Sequence, residues 1–366
     1  MKKKLILFMP SIEGGGVEKN LYLIANYLIK KINKISLITV TKNAKNKFNN
    51  KIKFITPRNT FWDRMNKKIK YICCLYLLFI QILKNRNILV FCFQANIYCI
   101  ILCKFFGVKI IIRSNSSPTG WSRNFLKNLV FKKLLRLADA TIVNSYDFKN
   151  ELKKKFKVNP VCIYNPLNKE EIVKKSKVKI IGKSFANKKQ LKIINVARFT
   201  DQKDHITLLK AVNLLKNKIN LQLLILGRGI NKNSMSEYIL ENNLKKFVRI
   251  VNYKKNPYPY IKNSELFILS SKFEGLPNVL LEALVLNKFV ISSNCQTGPS
   301  EILDNGNGGL LFKVGSEQDL AKKILFFYNN KNKCKKKLIF AKKRLDRFDY
   351  KNNIEKYHNL INKHIK

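Results

Sequence analysis

The sequence predicts an α/β protein made of two open, sheet-based domains in tandem. Three observations lead there. Short apolar runs alternate with longer amphipathic segments; the alternation breaks after Asn165-Pro166 and restarts at Lys192; and 366 residues with 46% hydrophobic content exceed what one core usually holds.

In the first half, Lys4 to Met9, Ile35 to Val40, Ile52 to Ile55, Ile88 to Phe91, Lys109 to Ile112, Ala140 to Val143 and Val161 to Ile163 read as strands. Helical stretches such as Glu18 to Ile29 and Asn124 to Leu137 lie between them, the rhythm of βαβ units and a parallel sheet. A lysine-rich, weakly patterned stretch then runs to Gln190 and is the expected interdomain linker. The second half repeats the rhythm with strands Lys192 to Ala197, Leu221 to Leu226, Arg249 to Val251, Leu266 to Leu269, Phe289 to Ser292 and Gly309 to Phe312. Ligands of such sheets bind beyond the carboxyl ends of the strands, so the expected site is the cleft between the domains.

Composition excludes several classes. High apolar content, no triplet repeat and eight cysteines diluted through the chain rule out disorder, a collagen-like fibre and a small disulfide scaffold. The cysteines form no C-x-x-C pair or zinc spacing and are expected as reduced, mostly buried thiols. With 72 Lys plus Arg against 22 Asp plus Glu, the formal charge is +50, a field that attracts any anion and selects none. Lysine abundant in every segment fits a compositional bias, with a membrane-surface role for part of the charge as the other reading.

The opening Met1-Lys-Lys-Lys-Leu-Ile-Leu-Phe-Met-Pro has too short an apolar run for a signal peptide and is expected as a first buried strand. The charge-free stretch Tyr71 to Leu83 is shorter than the roughly 20 residues a spanning helix needs, which places the chain in the cytoplasm. Flanked by Lys67, Lys68, Lys70 and Lys84, that stretch fits either a buried helix or one lying on an anionic bilayer surface.

Four motifs carry chemistry. Gly14-Gly15-Gly16-Val17-Glu18 follows the first strand, where glycines admit a close ligand and a helix N-terminus offers free N–H groups; a plain strand-to-helix turn with positive φ explains it equally. Arg198 and Lys203 follow the strand ending at Ala197, at the head of the next helix, and together can grip a diphosphate as fork and point charge. In Phe273-Glu274-Gly275-Leu276-Pro277-Asn278-Val279-Leu280-Leu281-Glu282, Pro277 suits the first helical position, and Glu274 and Glu282 are carboxylates suited to vicinal sugar or ribose hydroxyls. The alternative for Glu282 is a cap or a pair with a nearby lysine. Gln296-Thr297-Gly298-Pro299-Ser300-Glu301 repeats strand, glycine turn and helix start, with backbone amides from Gly298 to Ser300 facing a phosphate or sugar.

In that order, these motifs resemble the group-1, family-four retaining glycosyltransferases of the GT-B fold, two Rossmann-like domains facing each other across a cleft. The resemblance covers most of the chain, and Glu-Gly-Leu-Pro-Asn-x-x-x-Glu is its specific part. It implies an acceptor domain over 1–167, a nucleotide-sugar-binding domain over 168–348, and a last helix within 349–366 that packs back on the first domain. It further implies a UDP-sugar whose diphosphate is neutralised by Arg198 and Lys203 and whose sugar faces Glu274. Glu282 would hold the ribose; Gly15, Gly16, Gly275, Leu276, Asn278, Val279, Gly298 and Pro299 would line the donor. The Gly298-Pro299 variant points to an N-acetylhexosamine donor.

Charge on a departing phosphate needs a metal or fixed cations; no D-x-D triplet is present, so neither metal nor other cofactor is expected. The implied acceptor is a polyprenyl-diphosphate-linked saccharide or surface polysaccharide, reached from the inner face of a membrane. Two departures stand out. Where relatives carry a histidine after a late N-terminal strand, this chain has Arg113-Ser114-Asn115-Ser116-Ser117, so Asn115 takes the positioning role. Gly227-Arg228-Gly229-Ile230 replaces Gly-x-Gly-Pro, and His205 is a helix-start residue. Competing readings are a nucleotide-sugar epimerase on the same frame and, from another class, a basic nucleic-acid-binding protein; the spread of the basic residues and the lack of a nucleic-acid module count against the latter.

Overall fold

The computed structural model describes residues 4–115, 125–180, 185 and 190–365, in two compact units. Unit 1 spans 1–166 and 350–366, and unit 2 spans 167–349. Ser116, Ser117, Asn124 and most of the expected linker beyond residue 180 lie outside the described residues.

Unit 1 runs β1 (Lys4–Phe8), α1 (Gly16–Leu28), β2 (Ile35–Ile38), β3 (Lys53–Ile55), α2 (Lys67–Lys84), β4 (Ile88–Cys92), α3 (Asn96–Phe105), β5 (Lys109–Arg113), α4 (Phe125–Arg136), β6 (Ala140–Val143), α5 (Tyr146–Phe156) and β7 (Val161–Cys162). Unit 2 runs α6 (Lys169–Ser176), β8 (Leu191–Val196), α7 (His205–Leu215), β9 (Leu221–Gly227), α8 (Lys232–Glu241), β10 (Val248–Asn252), α9 (Tyr258–Lys262), β11 (Leu266–Leu269), α10 (Asn278–Val285), β12 (Phe289–Ser293), α11 (Pro299–Ile302), β13 (Leu310–Phe312), α12 (Glu317–Asn329) and α13 (Lys331–Lys343). The last helix, α14 (Tyr350–Ile365), belongs to unit 1.

Both sheets are parallel, ordered β3-β2-β1-β4-β5-β6-β7 and β10-β9-β8-β11-β12-β13. A parallel sheet needs crossover helices on its faces, so its strands are buried on both sides and read as unbroken apolar runs. That is why every strand expected from the sequence has an observed counterpart within a residue or two.

Alternation along each strand divides unit 1 into two cores. Leu5, Leu7, Phe91 and Ile111 face α1 and α14, where they meet Ile24, Ile354, Tyr357 and Ile361. Ile6, Phe8, Val90 and Ile112 face the other layer, meeting Cys74 and Leu78 of α2 and Cys99 of α3. In unit 2, Ile193, Ile225 and Ile268 pack under α7 and α12 through Leu208, Val212, Leu320 and Ile324. All eight cysteines are free thiols, and all but Cys162 are buried.

The expected linker needs correcting. Its first part is α6, capped by the Asn168 side chain, which accepts from Glu171 N at 3.0 Å. One buried apolar residue, Ile172, and a buried Ser176 anchor it, too sparse a pattern to stand out among lysines.

Arg113, the last residue of β5, is 1% exposed. Its Nε donates to the Tyr357 hydroxyl at 3.0 Å, one terminal nitrogen donates to Asn165 Oδ1 at 2.5 Å, and the other to Asn115 Oδ1. A buried guanidinium is tolerated only when such oxygens replace its water. Tyr357→Phe is expected to lower stability by about 1.5–3 kcal/mol, the worth of a hydrogen bond to a charged group, read as a drop in the urea midpoint with unchanged slope.

Candidate functional site

In each sheet the strand order reverses between two adjacent strands, β1 and β4 in unit 1 and β8 and β11 in unit 2. The crevice beyond the carboxyl ends of such a strand pair is where open α/β sheets take ligands. Each sequence-predicted group can therefore be placed by the strand it follows.

In unit 2, the loop after β8 carries Arg198 and Lys203, and the loop after β11 carries Glu274. Lys203 Nζ makes an ion pair with Glu274 Oε1, and the two side chains are 14% and 8% exposed. The same carboxylate oxygen accepts from the Ser271 hydroxyl at 2.6 Å. Burial weakens the competition from water, and breaking such a pair leaves an uncompensated charge at a cost of about 3–5 kcal/mol. Arg198 is exposed, and among the described residues no acid or other acceptor engages its guanidinium. Among the described residues, Lys203 is thus a paired cation and Arg198 an exposed one with no side-chain partner.

Main-chain ties lock the loops together. Gln202 Nε2 donates to Phe273 O at 2.8 Å, Lys272 N to Gln202 O at 2.8 Å, and the Ser270 hydroxyl to Lys203 O at 3.0 Å. The loop after β12 joins them: Thr297 Oγ1 donates to Glu274 O at 2.6 Å, and Ser293 Oγ to Ser271 O at 2.6 Å. Gly298 has φ 88°, and a Cβ there would stand 2.0 Å from the Gly275 carbonyl oxygen. Only glycine fits against that backbone. Burial, with the Glu274 carboxylate second, pushes the nearby Cys295 thiol up to about 12, leaving it inert as a nucleophile.

Several local expectations change. Lys203 sits in a 3₁₀ turn, Asp201–Lys203, because Asp204 adopts left-handed φ 46° and caps α7 instead, accepting from Thr207 N at 3.4 Å and from the Thr207 hydroxyl at 2.7 Å. Pro277 is the N-cap of α10 with extended ψ 102°, one residue before the helix proper. Pro299 has no N–H, so of the Gly298–Ser300 stretch only Gly298 and Ser300 can donate. Glu282 lies buried on α10 and accepts from the Tyr258 hydroxyl at 3.3 Å. Gly275 and Leu276 are buried in the loop, while Asn278 and Val279 open α10, half-buried.

The Gly227-Arg228-Gly229 loop packs on the Arg198 loop. Phe199 N donates to Arg228 O at 2.8 Å, and a Cβ on Gly229 would stand 2.2 Å from Phe199 O. The Arg228 guanidinium lies 4.6 Å from the Tyr253 ring centre.

In unit 1, Gly15 is the N-cap of α1 and Gly16 its first residue, and the positive φ of the turn, 86°, falls on Gly14. Asn115 is turned into the fold: its Oδ1 accepts from Arg113, and its Nδ2 donates to Phe93 O at 2.9 Å and Arg113 O at 3.3 Å. The sequence analysis does not single out Ser271, Tyr258, Gln202 or Arg113 as site residues; the serine pair Ser270-Ser271 closing an apolar strand is the local pattern that could have found the first. Among the described residues no group of three or more His, Cys, Asp or Glu is placed to hold a metal.

Residues 14–171 match the family model described as Glycosyltransferase Family 4, and residues 176–344 match the one described as Glycosyl transferases group 1. This chain is a GT-B-fold relative of those two families. Among curated relatives, an uncharacterized glycosyltransferase of Methanocaldococcus jannaschii is 35% identical over 180 residues, 48% of this chain and 44% of that protein. The N-acetylgalactosamine-N,N'-diacetylbacillosaminyl-diphospho-undecaprenol 4-alpha-N-acetylgalactosaminyltransferase of Campylobacter jejuni is 30% identical over 233 residues, 61% of this chain and 62% of that one. The matches therefore span about half to three fifths of the relatives' own lengths.

Among solved structures, the Anabaena HepE complex with UDP and glucose superposes with TM-score 0.78 at 15% identity, covering 99% of this chain and 100% of that one. Sucrose-phosphate synthase of Thermosynechococcus elongatus gives 0.80 at 14% identity, covering 99% of each. The two parallel, helix-flanked sheets are those of the GT-B architecture.

His205 opens α7, buried against the Phe199 ring, and neither ring nitrogen has a hydrogen-bond partner among the described residues. Burial first, and Lys203 second, lower its pKa from 6.5 to about 4. Between those values the unfolded chain takes up a proton that the folded chain refuses. Its contribution to stability is therefore complete above pH 6.5 and is lost as pH falls through about 4. The loss is expected to reach about 3 kcal/mol in denaturant titrations, and His205→Phe should flatten that pH dependence. Gly298→Ala is expected to cost at least about 2 kcal/mol, through a strained φ and a backbone clash, read as a lower thermal midpoint.

Proposed function

We propose that this GT-B-fold protein is a retaining glycosyltransferase. It moves a sugar, here an N-acetylhexosamine, from a UDP-sugar to a lipid-linked or surface-polysaccharide acceptor at the cytoplasmic face of a membrane. The observation that carries the reading is the Lys203–Glu274 pair, on the loops beyond the carboxyl ends of adjacent strands β8 and β11 where the unit 2 order reverses, with exposed Arg198 on the same loop as Lys203. Each half of the chain also matches a glycosyltransferase model. The Campylobacter relative, whose name describes an N-acetylgalactosamine transfer to an undecaprenol-diphosphate saccharide, supports the acceptor class.

In this mechanism the bond between the sugar anomeric carbon and the β-phosphate oxygen breaks, and an acceptor hydroxyl attacks from the same face. Its proton passes to the departing phosphate oxygen. Negative charge grows on the diphosphate as the bond lengthens. Arg198 answers it as a bidentate donor, and Lys203 as a point charge whose position Glu274 fixes. The second oxygen of Glu274 is left to meet a sugar hydroxyl, Glu282 holds the ribose with Tyr258 steadying it, and Gly298 lets the backbone approach. Fixed cations in these positions supply what a divalent ion supplies elsewhere, so turnover is expected without added metal.

Incubation with a panel of UDP-sugars and polyprenyl-diphosphate saccharides tests the reading, with the anomeric configuration of the product assigned by NMR. Product of unchanged configuration, insensitive to chelators, is expected. Arg198→Ala and Lys203→Ala should each lower kcat/KM by about 10²–10³-fold. Donor turnover without acceptor and with inverted stereochemistry at a sugar carbon would instead identify an epimerase, and no donor binding at all would overturn the proposal.

A further inference from the structure

From Arg64 to Ala138 the sequence contains no aspartate or glutamate. This span includes α2, α3 and α4, neighbouring helices that form one layer on the unit 1 sheet. The acids that border it are occupied: Asp63 lies 3.8 Å from Lys70 Nζ, and Asp139 lies 2.6 Å from Lys104 Nζ. Every charged residue of the span itself is positive, with Lys67, Lys68, Lys84, Arg86, Lys133 and Arg136 exposed, and Glu13, from the turn after β1, reaches Lys70 Nζ at 3.8 Å.

The same side is apolar. While Cys74, Leu78 and Ile82 turn α2 into the core, Ile72, Tyr76 and Leu83 form an outward stripe, and Ile72 is 68% exposed. On α3, Tyr98, Ile101 and Phe105 repeat it at helical spacing, with Phe105 82% exposed. The stripes are joined at one end, for Phe106, the residue after α3, has its ring centroid 5.0 Å from that of Phe105 and 5.6 Å from that of Phe79 of α2, and Arg86 lies over the Phe106 ring. A helix that is apolar on both faces normally has cover on both.

We propose that this layer of α2, α3 and α4 rests on an anionic lipid bilayer. Apolar side chains enter the boundary between headgroups and acyl chains, and the lysines and arginines around them meet the phosphates. A second copy of the chain would bring the same acid-free, positive face, so charge opposes self-pairing there. No described helix is long and apolar enough to cross a membrane, which leaves the interfacial arrangement for this patch. The inference deepens the proposed lipid-linked acceptor but rests on this face alone, so binding and catalysis are scored separately.

The test is cosedimentation of the full chain with vesicles of phosphatidylcholine alone or mixed with phosphatidylglycerol, at low and high salt. Pelleting with the anionic vesicles, reduced by salt and at least tenfold weaker with phosphatidylcholine alone, is expected. The triple variant I72S/Y76S/F105S and the charge variant K67E/K68E/K133E should each lower partitioning at least tenfold, with circular dichroism unchanged and transfer to a water-soluble acceptor analogue retained. I230S, at an equally exposed apolar residue of unit 2, should bind as the parent does. Wild-type protein left in the supernatant, equal binding by parent and both variants, or a dimer in lipid-free sedimentation that I72S/Y76S/F105S dissolves, would each overturn the proposal. Failure of transfer with vesicle binding intact would instead count against the enzymatic reading.

Discussion

The unit 2 site depends on one ion pair, Lys203 with Glu274, held where two strands of a parallel sheet part company. The carboxylate would be costly to bury alone, and the ammonium alone would swing with four rotatable bonds. Together they fix each other, and the Ser271 hydroxyl fixes the pair. The loops after β8, β11 and β12 then knit around it through Gln202, Ser270 and Thr297, so the carbonyls and amides facing any ligand are set before it arrives. Preorganisation of this kind lets fixed charge stabilise a departing anion without the cost of reorienting dipoles.

Arg113 poses the same problem in unit 1 and solves it differently. Among the described residues no acid offsets it; its nitrogens are met by Tyr357, Asn165 and Asn115. The consequence falls on Asn115, whose amide hydrogens are committed to Phe93 and Arg113 carbonyls. A ligand approaching β5 therefore meets a side chain that is already oriented and has little freedom to turn.

The strands were legible because sheets covered on both faces need short, near-continuous apolar runs such as Leu266 to Leu269, far shorter than the apolar helical stretch Tyr71 to Leu83. Glu274 was legible because acids are scarce and this one follows such a run. What escaped notice depends on distance or on sparse patterning. Tyr357 meets Arg113 across 244 positions of sequence, and Tyr258 reaches Glu282 from a helix of only five residues. Helix α6 hides a single buried isoleucine among lysines. Lys203 follows the helix grammar up to Asp204, where a left-handed aspartate moves the helix start past it.

The return of α14 bears on how the chain is made. Ile354, Tyr357 and Ile361 complete one face of the first sheet, yet a ribosome releases them only after the whole second unit has emerged. Until then Leu7 and Phe91 lack their cover and Arg113 lacks its phenol. The nascent first unit must wait in an unfinished form, exposing a greasy seam and an unsated cation, and its final closure is a late event that synthesis speed and chaperone occupancy can set.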